Sequence, residues 1–168
     1  MQSSIEQKYF ANNPLVNQED LKDHIGVGAV FHGEKDNILI MQHAKYNFLT
    51  IPIGKVSIHD NIDIGLFNEM QQELDVRIEK IDVLGTFHKK YHRGKKIYTH
   101  INTYLYDIIS YHGIIFNKEP HKHPRLLYMS IDELMKEDPT NLSDVTRFYL
   151  YLIKGILNIP SVQLIKEK

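Results

Sequence analysis

The stretch from Ile51 to Val76, IPIGKVSIHDNIDIGLFNEMQQELDV, constrains this chain more than any other. A loop carrying Pro52, Gly54 and Lys55 runs directly into a short amphipathic segment. In that segment Phe67, Met70 and Leu74 recur at the three-to-four spacing of one buried helix face. Asp60 or Asn61 is placed to cap its start. Glu69 and Glu73 are four apart, so on a helix they share a side, and Gln72 shares it with them. Like charges at this spacing repel by roughly 0.2–0.5 kcal/mol. A divalent cation between the two glutamates removes that cost, and magnesium takes such hard oxygen ligands while sharing itself with substrate phosphates. The simpler reading of the pair alone is a solvated helix face, because glutamate is a common helix former.

A helix with one apolar face needs a sheet to lie on, and the flanks supply strands. Ile25 to Phe31 reads as a buried strand, and Ile38 to Met41 as the returning strand of a hairpin after a turn at Gly33 to Asn37. Phe48 to Ile51 leads into the Gly54 loop. Arg77 to Phe87 and Ile97 to Ile109 are further strands, joined by the basic turn KKYHRGKK with Gly94 at its tip. Leu126 to Met129 is a short strand, and Ser130 with Glu133 has the spacing of a capping box. Ser143 is placed to cap a last helix whose core face is Val145, Phe148, Leu152 and Ile156. Its other side, with Tyr149, Tyr151 and Ile153, is apolar enough for a homodimer contact. The order predicts an α/β fold, a sandwich of helices around a central mixed sheet. Residues 25–158 form its single domain, between an N-terminal arm over 1–24 and a C-terminal tail over 159–168.

Composition narrows the function classes. A chain of 168 residues with a formal net charge of -1 has no broad pull toward nucleic acid or an anionic membrane. It has no cysteine, which excludes disulfides, thiolate metal sites and cysteine nucleophiles. No apolar run approaches the roughly 18–20 residues of a membrane helix, and the N-terminus lacks a signal-peptide layout. The expectation is a cytoplasmic protein. His121 with His123, and His88 with His92, read as surface histidines without the four ligands of a structural zinc site.

The central stretch resembles the box of the Nudix hydrolase family, G-x5-E-x7-R-E-U-x-E-E-x-G-U, with U aliphatic. Laid without gaps from Gly54, it gives Asp60 for the first acid and Asn68 for the arginine. Glu69, Met70, Glu73 and Val76 match, Gln72 replaces the first of the paired glutamates, and Asp75 replaces the late glycine. IPIGKV is similar to the usual lead into the box, and NKEPHKHPRLLYMSIDEL resembles a later segment of relatives that cleave nucleotides. The resemblance spans roughly Ile25 to Leu134. It implies a Nudix fold and a Mg²⁺- or Mn²⁺-dependent hydrolase in which water attacks phosphorus of a nucleoside diphosphate-linked substrate. By position, Glu69, Glu73 and Glu119 would be catalytic. The Gly54 carbonyl, Glu69, Gln72 and Glu73 would hold the metal.

Gln72 can ligate only as a neutral group. Asn68 cannot orient box carboxylates as an arginine does, and loss of such support commonly costs about 10–100-fold in metal affinity or activity. The alternative is therefore a catalytically inactive Nudix-fold protein that binds a nucleotide or a protein partner. Lys55, Lys89, Lys90 and Arg93 are candidate cations for substrate phosphates. Were the cluster around Lys89 an RNA-binding patch, an RNA 5′-end pyrophosphohydrolase would follow.

Overall fold

The site is positioned by a short segment that passes from one sheet to another. Strand β3 (Leu49–Thr50) belongs to a three-stranded antiparallel sheet with β2 (Ile38–Gln42) and β7 (Arg125–Met129), in the order β3-β2-β7. After two intervening residues β4 (Ile53–Val56) joins a four-stranded mixed sheet, in the order β4-β1-β6-β5. There β1 (Ile25–Val30) runs antiparallel to β4 and parallel to β6 (Lys96–His112), which pairs antiparallel with β5 (Arg77–Arg93). This computed structural model describes residues 24–93 and 96–154. The expected N-terminal arm, apart from His24, and the C-terminal tail lie outside the described residues.

The expected α/β sandwich around a mixed sheet is what forms. Strand side chains alternate between faces, so each sheet feeds two cores. On one side Val27, Ala29, Phe31, Leu39 and Tyr106 pack against helix α1 (Ile62–Leu74) through Leu66, Met70 and Leu74. On the other, Val30, Ile40, Ile51 and Leu105 pack against helices α2 (Ile131–Lys136) and α3 (Asp144–Lys154). Gly65 permits the close approach of α1, since a Cβ there would meet Val56 Cγ1 at 2.5 Å. Asn61 caps α1 through a side chain that accepts from Ile64 N–H, and Ser130 and Glu133 form the reciprocal capping box of α2. The Ser143 hydroxyl accepts from Thr146 N–H at the start of α3.

Three local expectations are corrected. β1 and β2 do not form a laddered hairpin. Only its tip survives, in the bridge between His32 and Ile38 and the Leu39 N–H bond to Phe31 O, because the two strands then diverge into different sheets. The basic segment is mostly strand, since β5 and β6 are each 17 residues long and pair as far as Arg93 with Lys96. On α3, Tyr149 is 6% exposed and Leu152 40%, the reverse of the expected faces. Tyr149 lies one helical turn after Val145 and shares its buried stripe. Ile156 lies outside the described residues. Among the described residues no helix is long and apolar enough to cross a membrane.

Candidate active site

Glu69 sits against Gly54 more closely than any other residue type at position 54 would allow. A Cβ on Gly54 would lie 2.8 Å from Glu69 Cγ and 2.9 Å from its Oε2. The bare Cα therefore cradles the carboxylate as α1 crosses β4. One turn on, Glu73 is buried near the end of α1, and its Oε2 has no hydrogen-bond partner.

A separate loop brings a third acid. Phe116 N–H donates to Leu74 O, and Lys118 N–H donates to Glu73 O, both at 2.9 Å. The loop thus satisfies helix-end carbonyls that α1 cannot pair itself. Asp75 closes the helix in the left-handed region, with φ of 60°, and its carboxylate stands 3.8 Å from Lys118 Nζ. The aspartate that stands in place of a glycine therefore keeps the turn, which its short polar side chain tolerates, and helps anchor the loop. Glu119 follows, its side chain 14% exposed, with Oε1 buried and lacking a partner while Oε2 lies 3.2 Å from Lys122 Nζ.

The electrostatics tie these groups into one cluster. Burial pushes Glu73 up to about 8, and the charges of Glu69 and Glu119 add to the rise while Lys122 opposes it. Glu69 is also raised, first by burial and then by Glu119, again with Lys122 opposing. Three neighbouring, partly buried carboxylates have the donor chemistry of a divalent-cation site, since such an ion takes oxygen ligands and favours their charged forms. Among the described residues no three His, Asp or Glu side chains converge closely enough to chelate an ion by themselves. Magnesium does not require that. It commonly binds through one or two carboxylates, keeping waters and sharing substrate phosphates.

The NUDIX domain model matches residues 22–149, most of the chain. The chain belongs to the NUDIX domain family. Solved NUDIX structures share its fold. A MutT NUDIX hydrolase from Burkholderia pseudomallei is 20% identical with a TM-score of 0.64, over 79% of this chain and 98% of that one. The NUDIX domain of Shewanella oneidensis NrtR, solved with ADP ribose, is 14% identical with a TM-score of 0.56, over 89% and 97%. A Caenorhabditis elegans Ap4A hydrolase is 13% identical with a TM-score of 0.54, over 79% and 95%. No curated protein matches the sequence.

Within this NUDIX domain, Gly54, Glu69, Glu73 and Glu119 come together from a strand, a helix and a loop. Gln72 is exposed on α1, as is Asn68. Lys55 is exposed on β4, and strand alternation turns it to the face opposite Gly54. Lys89, Lys90 and Arg93 lie on β5, but their side chains fall outside the described residues. His123, expected at the surface, is instead buried. Its ring packs edge-on against His43 at 5.7 Å, and burial holds its pKa below the usual histidine value. Lys122 is the functional candidate that the motif does not single out. Its only signal in the sequence is its place three residues after Glu119, the spacing at which a turn pairs an acid with a base.

Proposed function

We propose that this NUDIX domain is a divalent-metal-dependent hydrolase of nucleoside diphosphate-linked substrates, using Mg²⁺ or Mn²⁺. The observation that supports it most is the buried Glu73 carboxylate, unpartnered at Oε2 and crowded by Glu69 and Glu119. A structural role gives no reason to bury repelling acids together, whereas cation binding does. Glu69, Glu73 and the Gly54 carbonyl would hold the ion, with Gln72 able to add only a neutral oxygen. When bound, the ion neutralises charge on the diphosphate oxygens and lowers the pKa of a bound water. Glu119 contributes as the acceptor of the attacking water's proton, since its Oε1 is free of protein partners. ADP ribose, bound in one similar structure, and Ap4A, the substrate named for another similar protein, both carry phosphoanhydride linkages, which supports the substrate class.

The test is a panel of nucleoside diphosphate-linked compounds with Mg²⁺ and with Mn²⁺. Metal-dependent cleavage is expected for at least one, with Glu73→Gln lowering kcat by at least about 100-fold and Gln72→Glu raising it. If no compound is cleaved and Gln72→Glu gives no rate, the enzyme reading fails and a binding protein remains.

A further inference from the structure

Lys122 combines a pinned backbone with a loose side chain. Its N–H donates to Glu119 O at 2.9 Å, and its carbonyl accepts from Ala44 N–H at 2.8 Å. The next residue, His123, is buried, and its carbonyl accepts from Asn117 Nδ2 at 2.6 Å. The Lys122 side chain is nonetheless 53% exposed, ending 3.2 Å from Glu119 Oε2. Its charge opposes the rise in pKa at both Glu69 and Glu73, so one ammonium serves as counter-charge to all three acids. Only the lysine end of the pair is exposed, so solvent competes for the ammonium while Glu119 stays half-buried. A divalent cation on Glu69 and Glu73 brings twice the charge beside Glu119 and repels the ammonium.

We propose that Lys122 is an exchangeable counter-ion: it neutralises Glu119 in the metal-free protein, is released when a divalent cation binds Glu69 and Glu73, and then binds a non-bridging oxygen of the substrate diphosphate. The inference rests on the metal site proposed above. The lysine head is a compact point charge with three rotatable donors, suited to exchanging one oxyanion for another. Exposure leaves it room to move, and the pinned backbone keeps it at the rim of the cluster. It thereby supplies, from a distant loop, a positive charge that Asn68 does not supply on the helix.

The consequence separates this role from a structural one, because one variant should move two affinities in opposite directions. In the full chain, Lys122→Met should bind Mn²⁺ about three- to tenfold more tightly than wild type, read by electron paramagnetic resonance, since a competing charge is gone. The Mn²⁺-loaded variant should bind methylenediphosphonate at least about tenfold more weakly. Lys122→Arg should stay near wild type in both. If Lys122→Met binds Mn²⁺ no more tightly, or keeps its diphosphonate affinity, the inference is overturned while the metal site stands. If wild type binds no Mn²⁺, the metal site fails and this role with it.

Discussion

The contact between Gly54 and Glu69 is where one side chain decides the site's chemistry. Glu69 lies where it does because position 54 has no Cβ, and the added methyl of Gly54→Ala would fall inside contact distance of Glu69 Cγ and Oε2. The glutamate has rotatable bonds and can swing aside, so the fold should survive with a loss of about 1–3 kcal/mol, the usual cost of overpacking. The displaced carboxylate should cost at least about tenfold in Mn²⁺ affinity. Thermal unfolding and a Mn²⁺ titration of Gly54→Ala check the two effects separately. Unchanged Mn²⁺ affinity would show that Glu69 does not ligate from this position. The glycine itself is legible in the sequence as part of a motif. That it serves as the wall behind Glu69 depends on helix and strand crossing in space, which no local pattern records.

Helix α1 shows at element scale how a locally stable segment carries a destabilising group. Its cap, apolar stripe and left-handed end at Asp75 are short-range features, and so was its extent readable from spacing; the capping box of Ser130 and Glu133 was readable for the same reason. The burial of Glu73 was not, because it comes from the loop through Phe116, Lys118 and Glu119 closing over the helix end. Lys122 and His123 escaped for the same cause, as both gain their surroundings from contacts distant in sequence. Glu73 gives the pH dependence of stability a definite expected sign. Its folded pKa stands at about 8 against 4.5 for the free group, so ionisation is disfavoured in the folded state. The folded state is then favoured below 4.5 and loses that advantage as pH rises toward about 8. The melting temperature of EDTA-treated protein should fall across this window, and Glu73→Gln should flatten the fall. Saturating Mg²⁺ should restore stability most at the alkaline end, where the acids are charged. A Glu73→Gln profile parallel to wild type would place the dependence on another group.

At the scale of the whole molecule, the two cores meet at the segment that changes sheets. Strand β4, which carries Gly54, faces α1, yet the segment leading into it is held from the opposite core by α3, a helix nearly a hundred residues later in the chain. The Thr146 hydroxyl accepts from Ile51 N–H at 2.9 Å, and the Ser143 hydroxyl joins Thr146 to Thr50 through two contacts of 2.7 Å. Pro52 O accepts from Ala29 N–H on the other flank. Ile51 N–H bonds to no strand, so this buried hydroxyl relay is placed to act with the β1 pairing in setting where β4 begins and hence where Gly54 stands. Thr146→Val keeps the shape but leaves Ile51 N–H buried without an acceptor, a loss of about 1–3 kcal/mol. Because the freed segment ends at Gly54, Mn²⁺ affinity should fall with stability although no acidic side chain has changed, while Thr146→Ser should hold both near wild type. Denaturant unfolding and Mn²⁺ titration of the two variants make the comparison. A Thr146→Val protein that is destabilised but keeps wild-type Mn²⁺ affinity would show that Gly54 is placed by its pairing with β1, and that α3 stabilises the fold without reaching the site.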